Sequence, residues 1–219
     1  MMEKKQKTQA LTVSAIMIAF AVSISAICAV MPFLNLPFGG GFTIASMLPI
    51  IIVAYMYGTK WGLLTAFVYS IMQMLLGFNT VSAFFLPGDN QMLWYRAVIV
   101  ILIDYIIAYT VLGFGGIFRN KFETKKALVL GSIFAISLRY LAHIVSGAIF
   151  FGTWAEWFFT QDGFPSWGEK ILEIFSGASL STVYSIIYNG TYMIPEIIIT
   201  AFVSCLVVRI PQIKMRDEI

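Results

Sequence analysis

Charge is what this sequence has least of. Only 11% of its 219 residues are Asp, Glu, Lys or Arg, where a soluble domain carries about 25%. Hydrophobic residues make up 59% and the mean hydropathy is +0.86. No stretch is left for a separate water-soluble domain, and residues 1–219 read as one all-α integral membrane domain. Histidine is reduced to His143 alone, and the cysteines to Cys28 and Cys205. The cysteines fall at opposite ends of the apolar segments, roughly a bilayer (~30 Å) apart, beyond disulfide reach. One histidine and two remote cysteines cannot build a usual zinc site, so no metal is expected. Hydrolase and metalloprotease signatures of the Gly-x-Ser-x-Gly and His-Glu-x-x-His kinds are missing. The Gly39-Gly40-Gly41 run lacks the Lys-Ser/Thr that would complete a phosphate-binding loop, so the chain is not expected to hydrolyse ATP itself. An intramembrane enzyme with Asp104 and His143 as acid and base is a remote alternative, left without nucleophile or metal.

Long apolar runs are what the chain does have. Six stretches approach the ~20 residues a helix needs to cross a bilayer, at approximately 10–31, 43–57, 61–77, 93–117, 127–151 and 183–208. Gly58 and Gly62 place a turn between the second and third. The first follows Glu3-Lys4-Lys5-Gln6-Lys7 and exceeds a signal peptide's apolar core of roughly 7–15 residues, so it reads as a retained span. With the N-terminus inside, Lys4, Lys5, Lys7, Lys60, Arg119, Lys121, Lys125, Lys126, Arg209, Lys214 and Arg216 all fall on the cytoplasmic side. The outer loops then hold only Lys170, with Arg96 at the outer end of the fourth span. The positive-inside rule thus favours six spans with both termini cytoplasmic.

The outer loops, Pro37 to Phe42, Phe78 to Trp94 and Gly152 to Thr182, are rich in aromatics such as Phe84, Phe85, Trp94, Tyr95, Trp154, Trp157 and Trp167. An interfacial aromatic belt accounts for most of these. Residues 167–175 have the pattern of an amphipathic helix lying on the outer face.

Ionisable groups at membrane depth mark pairing or function, and there are four: Asp104, Arg139, His143 and Glu196. At 1.5 Å rise per residue, Arg139 and Glu196 fall at one level, ~18 Å below the outer surface. A structural ion pair between them is expected, because either charge alone would be costly. Nearer the outside stand His143, Asp104, Tyr184, Tyr188 and Asn189, with Trp94 at the mouth. Together they could line a cavity open outward and closed below by the ion pair. A carboxylate among aromatic faces suits a flat ligand bearing positive charge. Taken singly, His143 could equally be a packing residue, and Asp104 could pair with Arg96. On the first span Ala15, Ala19 and Ser23 form a small-residue stripe that would let another helix approach closely.

The chain resembles the ThiT (YuaJ-type) family, the thiamine-specific S-components of energy-coupling-factor (ECF) vitamin transporters. The resemblance runs over nearly the whole chain and is carried by Gly41 to Ile50, Gly58 to Thr65, Asp104-Tyr105, Arg139 to Gly152 and Tyr188 to Glu196. It implies a six-helix S-component in the bacterial cell membrane that captures thiamine outside and has no cofactor of its own. It also implies docking, through an Ala-x-x-x-Ala face at Ala15 and Ala19, onto a transmembrane coupling protein that carries two ATPase subunits. By the same resemblance the ligand pocket falls on Trp94, Asp104, Tyr105, His143, Phe151, Tyr184 and Asn189. The family's usual Glu and Trp are replaced here by Asp104 and Phe151; Asp is one methylene shorter and Phe a weaker cation–π partner, for which Trp154 could compensate. A thiamine precursor or another B vitamin is the alternative ligand.

Overall fold

The computed structural model describes residues 4–36, 40–162 and 164–214. Glu3, Pro37, Phe38, Gly39, Arg216 and the Lys214 side chain, all invoked above, lie outside them. Among the described residues the main elements are six helices: α1 (Lys4–Ala29), α2 (Leu48–Tyr57), α3 (Thr59–Leu76), α4 (Trp94–Gly116), α5 (Thr124–Phe150) and α6 (Gly177–Val207). They follow the six apolar stretches in order. Four of them, α1, α4, α5 and α6, are long and apolar enough to cross a membrane.

The short α2 has a different reason for its apolarity. All ten of its residues are buried, and it packs against α1, α3, α5 and the end of α4. A helix that is apolar all round is a core helix. Gly58, at φ +91°, ends α2 and turns the chain directly into α3. That conformation is open to glycine and strained for any residue with a Cβ.

The outer surfaces carry the opposite signature. Leu11, Ile16, Phe20 and Ile27 on α1, and Ile194, Ile198, Phe202 and Leu206 on α6, are exposed large apolar side chains. Such continuous apolar faces suit a lipid surround. Inside, helices are joined by small polar groups of the kind that glue membrane helices together. Trp61 Nε1 donates to Ser14 at 2.9 Å, Gln73 donates to Ser25 at 2.7 Å, and Ser132 meets Ser204 at 2.8 Å.

α4 is not uniform. Trp94–Ile101 is α-helical, Leu102–Ile107 widens to π geometry, and Val111–Gly116 tightens to 3-10. The tight end carries Gly113, which lies against Gly62 and Leu63 of α3, and Gly115, which abuts Ile51 of α2. The wide segment carries Asp104 and Tyr105. π-bulges often sit at functional sites, and this one turns both side chains towards α5 and α3.

The ends of the bundle differ in chemistry. At one, Arg119 Nη2 donates to the Met56 carbonyl at 3.0 Å, so the α2–α3 turn and the α4–α5 junction, with Lys60, Lys121, Lys125 and Lys126, lie together. At the other, Phe158, Phe159, Phe164 and Trp167 form a chain of edge-to-face contacts. The amphipathic helix expected over 167–175 is present as Trp167–Ile174.

Candidate functional site

At the aromatic end, α3 finishes, α4 begins, α5 finishes and α6 begins, and a cavity of about 180 Å³ opens among them. α4 supplies Asp104, Tyr105 and Tyr109 to its lining, α5 supplies Arg139, His143 and Gly147, and α6 supplies Tyr184, Tyr188, Asn189 and Tyr192. The connections add Gly40, Thr80, Phe84, Asn90, Phe151 and Trp154.

The polar centre is a three-residue cluster. Asp104 Oδ1 lies 2.8 Å from His143 Nδ1, and Ser146 donates to Asp104 Oδ2 at 2.6 Å. Asp104 thus turns to α5, and not to Arg96, whose guanidinium sits over the Phe150 ring instead. An ionised carboxylate only accepts, so the imidazole Nδ1 carries the donated proton. That fixes the tautomer: in the neutral ring, Nε2 is left as an acceptor. Nε2 is buried and has no hydrogen-bond partner. A ligand N–H or O–H would satisfy it.

The walls are aromatic. Tyr184 and Tyr188 are stacked at 5.7 Å, and Phe158 meets both edge-on. Phe84 and Phe151 close the side towards α4, with ring centroids 6.2 Å apart. Tyr105 extends to the end of α3, its hydroxyl against Gly77. Asn189 lines the cavity, but its amide is already engaged: its oxygen accepts from Tyr192 at 2.6 Å, and its nitrogen donates to the Ser185 carbonyl at 2.9 Å.

Eight of the nine expected ligand-binding residues are therefore gathered in one lining: Asp104, Tyr105, His143, Phe151, Trp154, Tyr184, Tyr188 and Asn189. Trp94 is not among them. As the first residue of α4 it is 72% exposed and packs edge-on against Tyr95. Tyr109, Tyr192 and Gly147 were missed, although each stands four residues beyond an expected residue (Tyr105, Tyr188 and His143) and so shares its helical face. Thr80, Phe84 and Asn90 come from an irregular connection with no periodicity to read.

The Arg139–Glu196 ion pair is also corrected. Both residues are buried, but neither bonds the other. Arg139 donates to Met47 Sδ at 2.9 Å and to the Tyr109 hydroxyl at 3.0 Å, with its guanidinium 4.3 Å from the Tyr109 ring centroid. Glu196 accepts from the backbone N–H groups of Thr43 at 3.0 Å and Ala45 at 2.8 Å. The segment before α2 enters at this depth and supplies partners to both charges. Arg139 is moreover part of the cavity lining rather than only scaffold beneath it.

On α1, Ala15, Ala19 and Ser23 face outward, while Ala10, Ser14, Ala21, Ser25 and Cys28 are buried. Among the described residues no group of three or more His, Cys, Asp or Glu could hold a metal ion.

Residues 11–157 match the family model described as thiamine transporter protein (Thia_YuaJ). The chain is also 32% identical over 202 residues to the thiamine transporter ThiT of Bacillus subtilis, covering 88% of this chain and 86% of that protein. Among solved structures, ThiT from Listeria monocytogenes superposes with a TM-score of 0.56 at 20% identity, over 91% of this chain and 97% of that one, a likeness of fold. The residues of α6 lie beyond the stretch that the family model matches.

Proposed function

Because the chain belongs to the thiamine transporter (Thia_YuaJ) family and is a multi-pass protein of the bacterial cell membrane, we propose that it is the substrate-binding subunit of an ECF-type importer. In this reading it captures thiamine in the cavity around Asp104 and His143. In the same reading the six helices, with α2 enclosed by the others, carry the chain back and forth and leave both termini cytoplasmic. The cavity lies at the end of the bundle away from Lys60, Arg119, Lys121, Lys125 and Lys126, so by the positive-inside rule it opens outward.

The observation that carries the reading is the Asp104–His143–Ser146 cluster set among Tyr184, Tyr188, Phe151 and Trp154. Thiamine is flat, cationic at its thiazolium and bears an amino group and a hydroxyl. Asp104 supplies the opposing charge, and the tyrosine and Phe151 rings supply the faces. The unpartnered Nε2 of His143 accepts from one of the ligand's donors. As expected of a subunit in a transporter family, the chain binds its ligand and passes it on rather than transforming it.

Transport needs a partner. Ala15, Ala19 and Ser23 are the surface for a transmembrane coupling protein with two ATPase subunits, since small residues on an outward face let a second helix approach closely. The ligand question is settled by calorimetric competition on purified protein, with thiamine, its separate pyrimidine and thiazole halves, and riboflavin. Thiamine should bind tightest. Asp104 and Phe151 reshape the pocket relative to the family's Glu and Trp, so a thiamine precursor ranking above thiamine would favour that second reading.

A further inference from the structure

Glu196 is the one buried carboxylate that the binding site does not use. It is 1% exposed, lies beside Pro195 inside α6, and makes no salt bridge among the described residues. Its two oxygens instead take the backbone N–H groups of Thr43 and Ala45, one each, with the Thr200 hydroxyl 3.5 Å from the second. Those N–H groups belong to a strained turn. Ile44 and Ala45 both have left-handed backbones, at φ 45° and 61°. The β-branched Ile44 is a genuine outlier there, and two left-handed residues in succession need something to hold them. Backbone N–H groups converging on one anion do that.

The turn is joined to the cavity at both ends. Upstream, Phe42 N–H bonds the Leu34 carbonyl at 2.9 Å and Leu36 N–H bonds the Gly40 carbonyl at 3.1 Å, which seats Gly40 against the Tyr192 ring in the lining. Downstream, Met47 receives Arg139, which in turn holds Tyr109. We infer that Glu196 is a positioning residue: its carboxylate latches the 40–47 segment in place, so that one side of the cavity and part of its floor stay closed on the ligand. The inference rests on the thiamine reading only for the choice of ligand.

Glu196→Gln tests it. Glutamine keeps the size but offers one acceptor oxygen and turns an NH2 donor towards the second backbone N–H. Two measurements are made on the full-length protein in detergent. Amide hydrogen exchange of a peptide spanning residues 42–48 should be faster in Glu196→Gln than in the wild type. The thiamine dissociation rate, followed by stopped-flow tryptophan fluorescence, should rise about 10-fold or more, the scale of a lost hydrogen bond to a charged group. Adding Ala45→Gly, which relieves the left-handed strain, should restore part of the slow dissociation, and exchange of peptides outside the segment should stay as in the wild type; a general loss of stability would speed exchange throughout. Unchanged exchange overturns the latch. Faster exchange with an unchanged dissociation rate overturns its link to the cavity. If the wild type fails to bind thiamine, the functional reading fails by itself, and exchange still decides the latch.

Discussion

Asp104 and His143 each limit what the other can do. The carboxylate fixes the imidazole tautomer, and the imidazole with Ser146 keeps the carboxylate turned into the cavity. Replacing His143 by Ala removes the Nε2 acceptor while Ser146 still holds Asp104. Thiamine affinity should fall by roughly 3- to 10-fold, the range for a hydrogen bond between neutral groups, with the detergent melting temperature little changed. Loss of the fold with the histidine would return His143 to a packing role. Tyr109→Phe makes the opposite kind of change. It deletes the hydroxyl that receives Arg139 Nη2 and leaves a buried guanidinium short of an acceptor. Unfolding should become easier by about 1–3 kcal/mol, read as a lower melting temperature of the ligand-free protein. Asp104, Arg139, His143 and Glu196 were legible in the sequence, because charge in an apolar run stands out. Their pairing was less so. Placing Arg139 opposite Glu196 assumed that only helices meet at that depth, whereas the irregular 43–47 segment reaches it and gives each charge a different partner.

Helix existence follows from hydropathy, and α1, α4, α5 and α6 could be read that way. The shortness of α2 was readable from Gly58, but its central burial was not, since an apolar run does not say whether lipid or protein surrounds it. Nor could the π and 3-10 segments of α4 be foreseen. They depend on how Gly113 and Gly115 let α2 and α3 approach, and on which backbone register then turns Asp104 inward. The α5–α6 pair is the frame of the cavity, and Gly147 sets its spacing by lying directly on Ser185 and close to the Asn189 amide. Gly147→Val should push these helices apart at the level of His143. An overpacking penalty of about 1–3 kcal/mol is expected, seen as a drop in melting temperature together with loss of thiamine binding. Unaltered binding in this variant would mean that the cavity does not depend on the close approach.

For the whole molecule, the division of labour runs from end to end and from inside to outside. The cavity occupies the aromatic end, Lys60, Arg119, Lys121, Lys125 and Lys126 the other, and none of the α1 stripe residues lines the cavity. Binding and docking should therefore be separable. Ala15→Leu combined with Ala19→Leu should leave thiamine titrations as in the wild type and abolish co-purification with the coupling protein and uptake in cells. If uptake survives, the stripe is not the docking face. The central claim is that thiamine binds at Asp104, and a fluorescence titration compares wild type with Asp104→Asn most directly. The asparagine keeps the shape and removes the charge, so the wild type should show saturable quenching at one site, and the variant should need about 10-fold or more ligand to reach half-saturation. Equal curves for the two proteins, or no quenching of the wild type at micromolar thiamine, would contradict it.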